Sequence, residues 1–419
     1  MRRGFSLIFF FLISLTMLSQ TYWQEKVYSP LIKSVKFELE GVDFSLPVIR
    51  LGTDDRLVLR FDDLVENTQR YNYTIIHCNY DWTQSELTPQ EYIEGFESGY
   101  IENHSNSVNT IQRYLHYWQE FPSSMMRFLV SGNYIVKVYA DDNTDKVVMV
   151  RRFMVVEDGA NIRANPIMSR SPQTQRTMQE VDVFVSPTSG MSFSDPNRFL
   201  KVVVLQNQRR DNASLLKLRQ YRANELEYSF DNANLFEAGN EFRNFDFTSL
   251  RTRSQTVSNF DYVDEQNVVI LRPIINRKNI AYTTIGDLNG NYYVRSERAN
   301  NFNLESDYAW VNFYLNTPVS LESDYYVWGE LSDWYCNNQN KMTYNPAYRA
   351  YTAKLYLKQG FYNYMIMSSE KNNPSSFNLN EMEGNFSESN NSYNIFVYYR
   401  KPGYSYDSLI GYSKVDINK

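Results

Sequence analysis

Residues Ser131–Glu157, SGNYIVKVYADDNTDKVVMVRRFMVVE, constrain the chain more than any other stretch. Side-chain character alternates from Tyr134 to Tyr139, and Val147 to Val156 is rich in β-branched and apolar residues. Between them, Asp141-Asp142-Asn143-Thr144-Asp145 is a run of turn formers. Two strand-like runs joined by a short polar loop predict a β-hairpin. Its entry reads Gly132-x-Tyr134-x-Val136, and the pattern recurs as Gly290-Asn291-Tyr292-Tyr293-Val294 and Gly360-Phe361-Tyr362-Asn363-Tyr364. In immunoglobulin-like sandwiches a Tyr at the start of a late strand turns its hydroxyl back onto upstream main chain. Three occurrences predict an all-β chain of three serial immunoglobulin-like β-sandwich domains with minor helical insertions. The plainer alternative is chance, since Gly-x-Tyr is short and the chain holds 34 Tyr.

Turn signals set the expected boundaries. They give a first sandwich over 24–158, a linker over 159–178, a second sandwich over 179–300, a third over 305–402 and a polar tail over 403–419. In the first, Val35–Leu39 and Arg56–Phe61 read as strands, and Tyr71–Trp82 as another strand that ends in a polar corner. Thr88-Pro89-Gln90-Glu91 has a capping residue, a Pro at the first helical position and a Glu at the third, which predicts a short helix from Pro89 to about Phe96. Leu115–Phe121 fits strand or helix equally. In the later units Val181–Val185, Phe199–Leu205, Tyr308–Leu315, Tyr348–Leu357 and Ser392–Arg400 read as strands. Lys371–Asn391, rich in Asn, Ser and Glu, reads as a long mobile loop.

Charge excludes some functions. A formal net charge of -6 disfavours nucleic acid, which needs clustered Lys and Arg to neutralise phosphates, and disfavours an electrostatic membrane-surface role. The N-terminus points to export. Arg2 and Arg3 precede an apolar run from Phe5 to Leu18, about the length of a signal-peptide core and short for a span of ~20 residues. Residues 1–20 are therefore expected to be a removed signal peptide; an uncleaved anchor is the alternative. Cys78 and Cys336 fall in different expected domains, and the sequence leaves open whether they are free.

No reactive constellation emerges. His77, His104 and His116 show no metal-ligand spacing, and His77, between Ile76 and Cys78, reads as a core histidine. There is no Gly-x-Ser-x-Gly elbow and no phosphate-cradling glycine cluster. Asp141, Asn143 and Asp145 mimic the start of a calcium loop, but Lys146 and Arg152 occupy the positions that need Gly and Glu, so a plain hairpin turn is expected. Asp287-Leu288-Asn289-Gly290 is likewise a turn signal. The chain is thus expected to be no enzyme, with no catalytic residue, cofactor or metal; partner-binding residues are not readable. Trp328 and Trp334, flanking Gly329, resemble the aromatic platforms of starch- and glycogen-binding sandwiches, so a glycan binder is the rival reading. A core role for both Trp side chains is the ordinary one.

Several stretches together resemble one family. They are YTIIHCNYDW (Tyr73–Trp82), EYIEGF (Glu91–Phe96), Ser131–Tyr139 with Arg151–Glu157, QNQRRDNA (Gln206–Ala213), Gly239–Arg251, LKQGF (Leu357–Phe361) and Tyr393–Arg400. They look like the plug proteins of the type IX secretion system of Bacteroidetes, long catalogued as a domain of unknown function. The resemblance runs from about Val35 to Ile410; one departure is Arg210, where Arg-Trp-Asp is usual. It implies a periplasmic, non-enzymatic β-sandwich protein that seals the mouth of the outer-membrane translocon barrel when no cargo is bound. It carries over no functional residue. An exported cargo is a further rival, weakened by Pro402 and the polar end of the chain.

Overall fold

The hairpin forms as expected: Gly132–Ala140 pairs antiparallel with Val147–Val156. The computed structural model describes residues 24–417 except 66, 223, 318–320, 372, 374 and 375; the expected signal peptide lies outside the described residues. The chain reverses through Asp141 and Asp142, both at positive φ, a conformation Asp tolerates better than most residues. Gly132 is needed at the entry, because a Cβ there would collide with the His77 ring.

This hairpin anchors the first unit. Its sheet runs Lys26–Val27, Val147–Val156, Gly132–Ala140, Tyr71–Cys78 and Ser98–Tyr100, with Val48–Arg50 added in parallel to Val147–Val156. Facing it is Ile32–Leu39, Leu57–Asp63, Leu115–Phe121 and Asn103–Asn106. Alternation sends Leu57, Leu59 and Phe61 inward against Tyr134 and Phe153. Tyr134 and Phe153 stack with centroids 5.2 Å apart, and Phe37 meets Phe153 edge-on at 5.7 Å. Each such ring contributes about 1.5–3 kcal/mol by leaving water. The capping-box helix is only Pro89–Tyr92. Glu91 accepts from the Thr88 main-chain N–H at 2.7 Å, and the chain turns into strand at Ile93.

The middle unit pairs Ala160–Met168, Met178–Pro187, Glu225–Tyr228 and Gln220–Arg222 in one sheet. The other is Ser214–Leu215, Leu200–Gln206, Ser392–Tyr399 and Ser408–Asp416. Their shared core holds Val183, Val202, Leu226, Ile395 and Val397. The third unit is one sheet that turns over. Lys341–Asn345 pairs with Asp324–Trp328 at Lys341 and Met342 and with Ala350–Lys358 from Thr343 onward. Phe245 and Phe313 consequently meet across the core at 5.4 Å.

The chain does not visit these cores in series. After Leu235–Glu237 it leaves the middle unit, builds the third over roughly Arg243–Glu383, and returns through Ser392–Tyr399 to pair with Leu200–Gln206. Four expected boundaries change. The boundary expected between the second and third sandwiches, at 300–305, moves back to about Arg243, because Arg243–Asp246, Val257–Val263, Gln266–Leu271 and Tyr292–Val294 belong to the third unit's sheet. Much of the expected linker 159–178 is the strand Ala160–Met168, every residue of which pairs with Met178–Pro187. The expected polar tail contains Ser408–Asp416, paired with Ser392–Tyr399. The strand expected to close the third sandwich closes the middle one. Polar composition misleads at both strands because each lies at a sheet edge; Ala160–Met168 has no fully buried residue, and Ser408–Asp416 is fully buried only at Leu409–Gly411.

The Gly-x-Tyr motifs explain the miscount. Tyr134 donates to the Val130 carbonyl at 2.7 Å and Tyr362 to the Lys358 carbonyl at 2.5 Å, each four residues upstream. Tyr292 does not: its hydroxyl reaches the Val35 carbonyl at 3.4 Å, in a different unit. Tyr292 and Tyr362 sit opposite each other on paired strands, rings stacked at 4.8 Å. Two of the three motifs therefore mark one unit.

Candidate functional site

The residues singled out by sequence do not converge. His77 is buried, with Nδ1 2.8 Å from Ser85 Oγ and Nε2 3.3 Å from the Ser131 carbonyl. Burial pushes its pKa down to about 4, so it is a neutral core histidine. His104 stacks on Tyr117 at 5.3 Å on the other sheet. Asp141 pairs with Lys146 at 2.9 Å, and Asn143 accepts from the Asp145 N–H, so this loop is a hairpin turn. Asp287 accepts main-chain N–H groups from Phe242 and Asn289, and burial pushes its carboxyl up to about 6. Among the described residues no group of His, Cys, Asp and Glu is placed to hold a metal. Cys78 and Cys336 are both free, and burial pushes each thiol up to about 12.

The Trp pair is core. Trp328 is 1% exposed and meets Trp334 edge-on at 4.8 Å, with Phe242 stacked beyond. A sugar-stacking platform needs a solvent-facing ring, and Trp328 offers none. Lys371–Asn391 is also not a free loop. It contains the strand Phe377–Asn378 and the helix Asn380–Glu383. Fully buried Glu383 accepts from Arg243 Nε at 2.9 Å, Arg277 Nε at 2.8 Å and the Ile366 N–H at 2.8 Å. Burial alone would raise this carboxyl; the two guanidiniums outweigh it and hold it below the usual range.

What sequence reasoning missed lies between the units. Strand Leu57–Asp63 is buried on both faces. Its inner face fills the first core, and the outward Asp62 is covered by the third unit. Asp62 Oδ1 is 2.7 Å from His116 Nδ1, while Oδ2 accepts from Lys358 Nζ at 2.6 Å and Tyr308 Oη at 2.7 Å. Ser34 Oγ adds a bond to Tyr308 Oη at 2.7 Å. Burial pushes the Asp62 carboxyl up, but the Lys358 ammonium and the His116 hydrogen bond outweigh it and leave the carboxyl low. Lys358 also donates to the Asn303 carbonyl at 2.7 Å and lies 4.0 Å from the Tyr114 ring centre. Around this cluster, Lys36 pairs with Glu330 at 2.6 Å, Arg151 with Asp333 at 2.8 Å, and Asp307 accepts the Ile111 N–H at 2.8 Å. A charge in an otherwise alternating strand, as in RFDD, was the available signal.

The first and middle units join differently. Leu46, Met154 and Val156 pack on Leu205, Phe396 and Leu409. Tyr398 donates to Asn133 Oδ1 at 2.9 Å, and Arg400 holds Asp407, which accepts the Tyr80 N–H. Gln179 donates to the Ser387 and Ser389 carbonyls and accepts from Asn391, tying the third unit to the middle one. The outer surface carries exposed apolar tips: Phe96 (65%) beside Met125 (69%) on the first unit, and Ile275, Ile280 and Ile285 on the irregular segment before Gly290.

This arrangement defines a class: a nearly all-β protein of packed sheets consistent with β-sandwich domains, several of whose buried charged side chains join one unit to another. Residues 32–157 match the family described as Type 9 secretion system plug protein 1st domain. A hypothetical protein from Parabacteroides merdae ATCC 43184, known from a crystal structure at 2.30 Å resolution, is 32% identical. The match covers 95% of this chain and 100% of that one, with a TM-score of 0.91. No curated protein matches the chain. The chain belongs to the type IX secretion system plug family, and its role is in type IX secretion.

Proposed function

We propose that this protein is a non-enzymatic plug. It seals the periplasmic mouth of the outer-membrane type IX translocon when no cargo is bound, and it binds that barrel reversibly. The observation that carries this reading is the buried junction around Asp62 and Lys358, which ties the first unit to the third. A pore wide enough for folded cargo is blocked only by a body that does not flex open. Buried ion pairs and shared hydrogen bonds between units favour one arrangement over many. The exposed tips at Phe96, Met125 and Ile275 supply contact surface of the adaptable kind that loop ends provide. We place the mature protein in the periplasm, peripheral to the membrane through protein contact. Among the described residues no helix is long and apolar enough to cross a membrane.

Deleting the gene tests the reading. The outer membrane should become permeable to large antibiotics while the translocon stays assembled. Unchanged permeability with an assembled, empty pore would overturn it.

A further inference from the structure

We propose that the cleft between the first and third units is a binding site for an extended, acidic polypeptide segment, taken up by strand addition. The cleft measures about 1020 Å³. Two strands that form its walls have edges without a ladder partner along part of their length among the described residues. Ile32–Leu39 ends its sheet and, among the described residues, pairs only with Leu57–Asp63. On its outer edge the Val35 carbonyl accepts from Tyr292 Oη and the Leu39 N–H donates to Ser45 Oγ, so Ile32–Ser34 is the part open to the cleft. Ala350–Lys358 pairs with Lys341–Asn345 through Ala350, Tyr351 and Thr352 alone, so from Ala353 to Leu357 that side has no paired strand among the described residues; the Lys358 carbonyl already accepts from Tyr362 Oη. Unpaired strand edges template the addition of another extended chain.

Charge selects the chemistry of that chain. Lys26, Lys33 and Lys354 line the cleft, and none of them forms an ion pair among the described residues. The cleft's own carboxylates are committed, Glu330 to Lys36 at 2.6 Å and Asp333 to Arg151 at 2.8 Å. A net-negative protein thus presents a local excess of ammonium groups. Burial pulls the Lys33 pKa down and Asp333 offsets this only in part, as expected of an ammonium short of a counter-charge. The cleft's rings do not form a sugar platform: Trp310 and Tyr356 are tilted 42° to each other, and Lys354 sits 4.6 Å over the indole. They suit the apolar side chains that alternate with the acidic ones on a strand. The site is independent of the plug reading, because binding is measured on the isolated protein.

The test is selection of random octapeptides displayed on phage against the full mature chain, in parallel with the double variant Lys33→Glu, Lys354→Glu. The expected result is enrichment of sequences with Asp or Glu at alternate positions. A synthetic copy should bind the double variant at least about tenfold more weakly, and main-chain N-methylation at alternate residues should cost as much. Trp310→Ala adds no charge and covers the case in which the double variant does not fold; it should weaken binding as well. Absence of enrichment, enrichment without acidic residues, or an N-methylated peptide that binds undiminished overturns the proposal.

Discussion

Lys358 sets its ammonium 2.6 Å from the carboxylate of Asp62, 296 residues earlier in the chain, and both side chains are almost wholly buried. Among the described residues, within its own unit the Asp62 carboxylate hydrogen-bonds only with His116 Nδ1, at 2.7 Å, and the Lys358 ammonium only with the Asn303 carbonyl, at 2.7 Å. The pair is stable only while the first and third units stay docked, so it reports on their docking.

Removing one partner should therefore be costly. Lys358→Met leaves Asp62 buried with His116 and Tyr308 alone, and about 3–5 kcal/mol of stability is expected to go. The double variant Asp62→Leu, Lys358→Met should recover most of it, since replacing a buried pair by apolar groups is often close to neutral. Guanidinium unfolding of wild type, both singles and the double gives the coupling. Single-variant losses under about 1 kcal/mol would show that the pair is dispensable.

Glu383 makes the same point at the foot of the third unit. Glu383→Ala strands the guanidiniums of Arg243 and Arg277, so a loss of about 3–5 kcal/mol is expected. Deleting 376–386 should be worse, because Met382 also leaves the core. Calorimetry decides: an unchanged melting temperature would mean this segment is not packed in solution.

The corner tyrosines should separate from their look-alike. Tyr134→Phe and Tyr362→Phe each leave a carbonyl without its donor and are expected to cost about 1–3 kcal/mol. Tyr292→Phe gives up only a 3.4 Å contact and should cost less than either. Equal losses in all three, measured by urea unfolding, would contradict the distinction.

Buried His77 and half-buried Asp287 should shape the pH dependence in opposite directions. His77 has its folded pKa pushed down to about 4, below the unfolded value near 6.5. The unfolded chain therefore takes up a proton first, and stability is lost as pH falls from 6.5 towards 4, by about 3 kcal/mol. Asp287 is raised to about 6, so its penalty is absent below pH 4 and complete above 6. Relative to wild type, His77→Gln should gain stability on going from pH 7 to 4. Asp287→Asn should gain on going from 4 to 7. Stability curves parallel to wild type across this window would refute both assignments.

Much of the local structure was legible. The hairpin after Gly132, the strands at Leu57, Tyr71 and Tyr308, and the cap at Thr88 all follow from alternation and turn chemistry, which act between near neighbours. The helix expected to reach Phe96 stopped at Tyr92, because Ile93–Gly95 found a strand partner in Met126–Phe128. The neutral, buried state of His77 was readable from its apolar neighbours. The Asp62 cluster was not, since Asp62, His116, Tyr308 and Lys358 share no spacing and meet only when two units dock.

The sequence alone determined that this is an all-β, aromatic-rich chain with no motif for catalysis, because side-chain alternation and motif spacing are local properties. The tertiary structure alone decided which strand pairs with which. Ser392–Tyr399 alternates no differently whether it closes the third unit or the middle one. It goes to Leu200–Gln206 because Ile395 and Val397 can there be buried against Val202 and Val204, a choice set by the geometry of the whole chain.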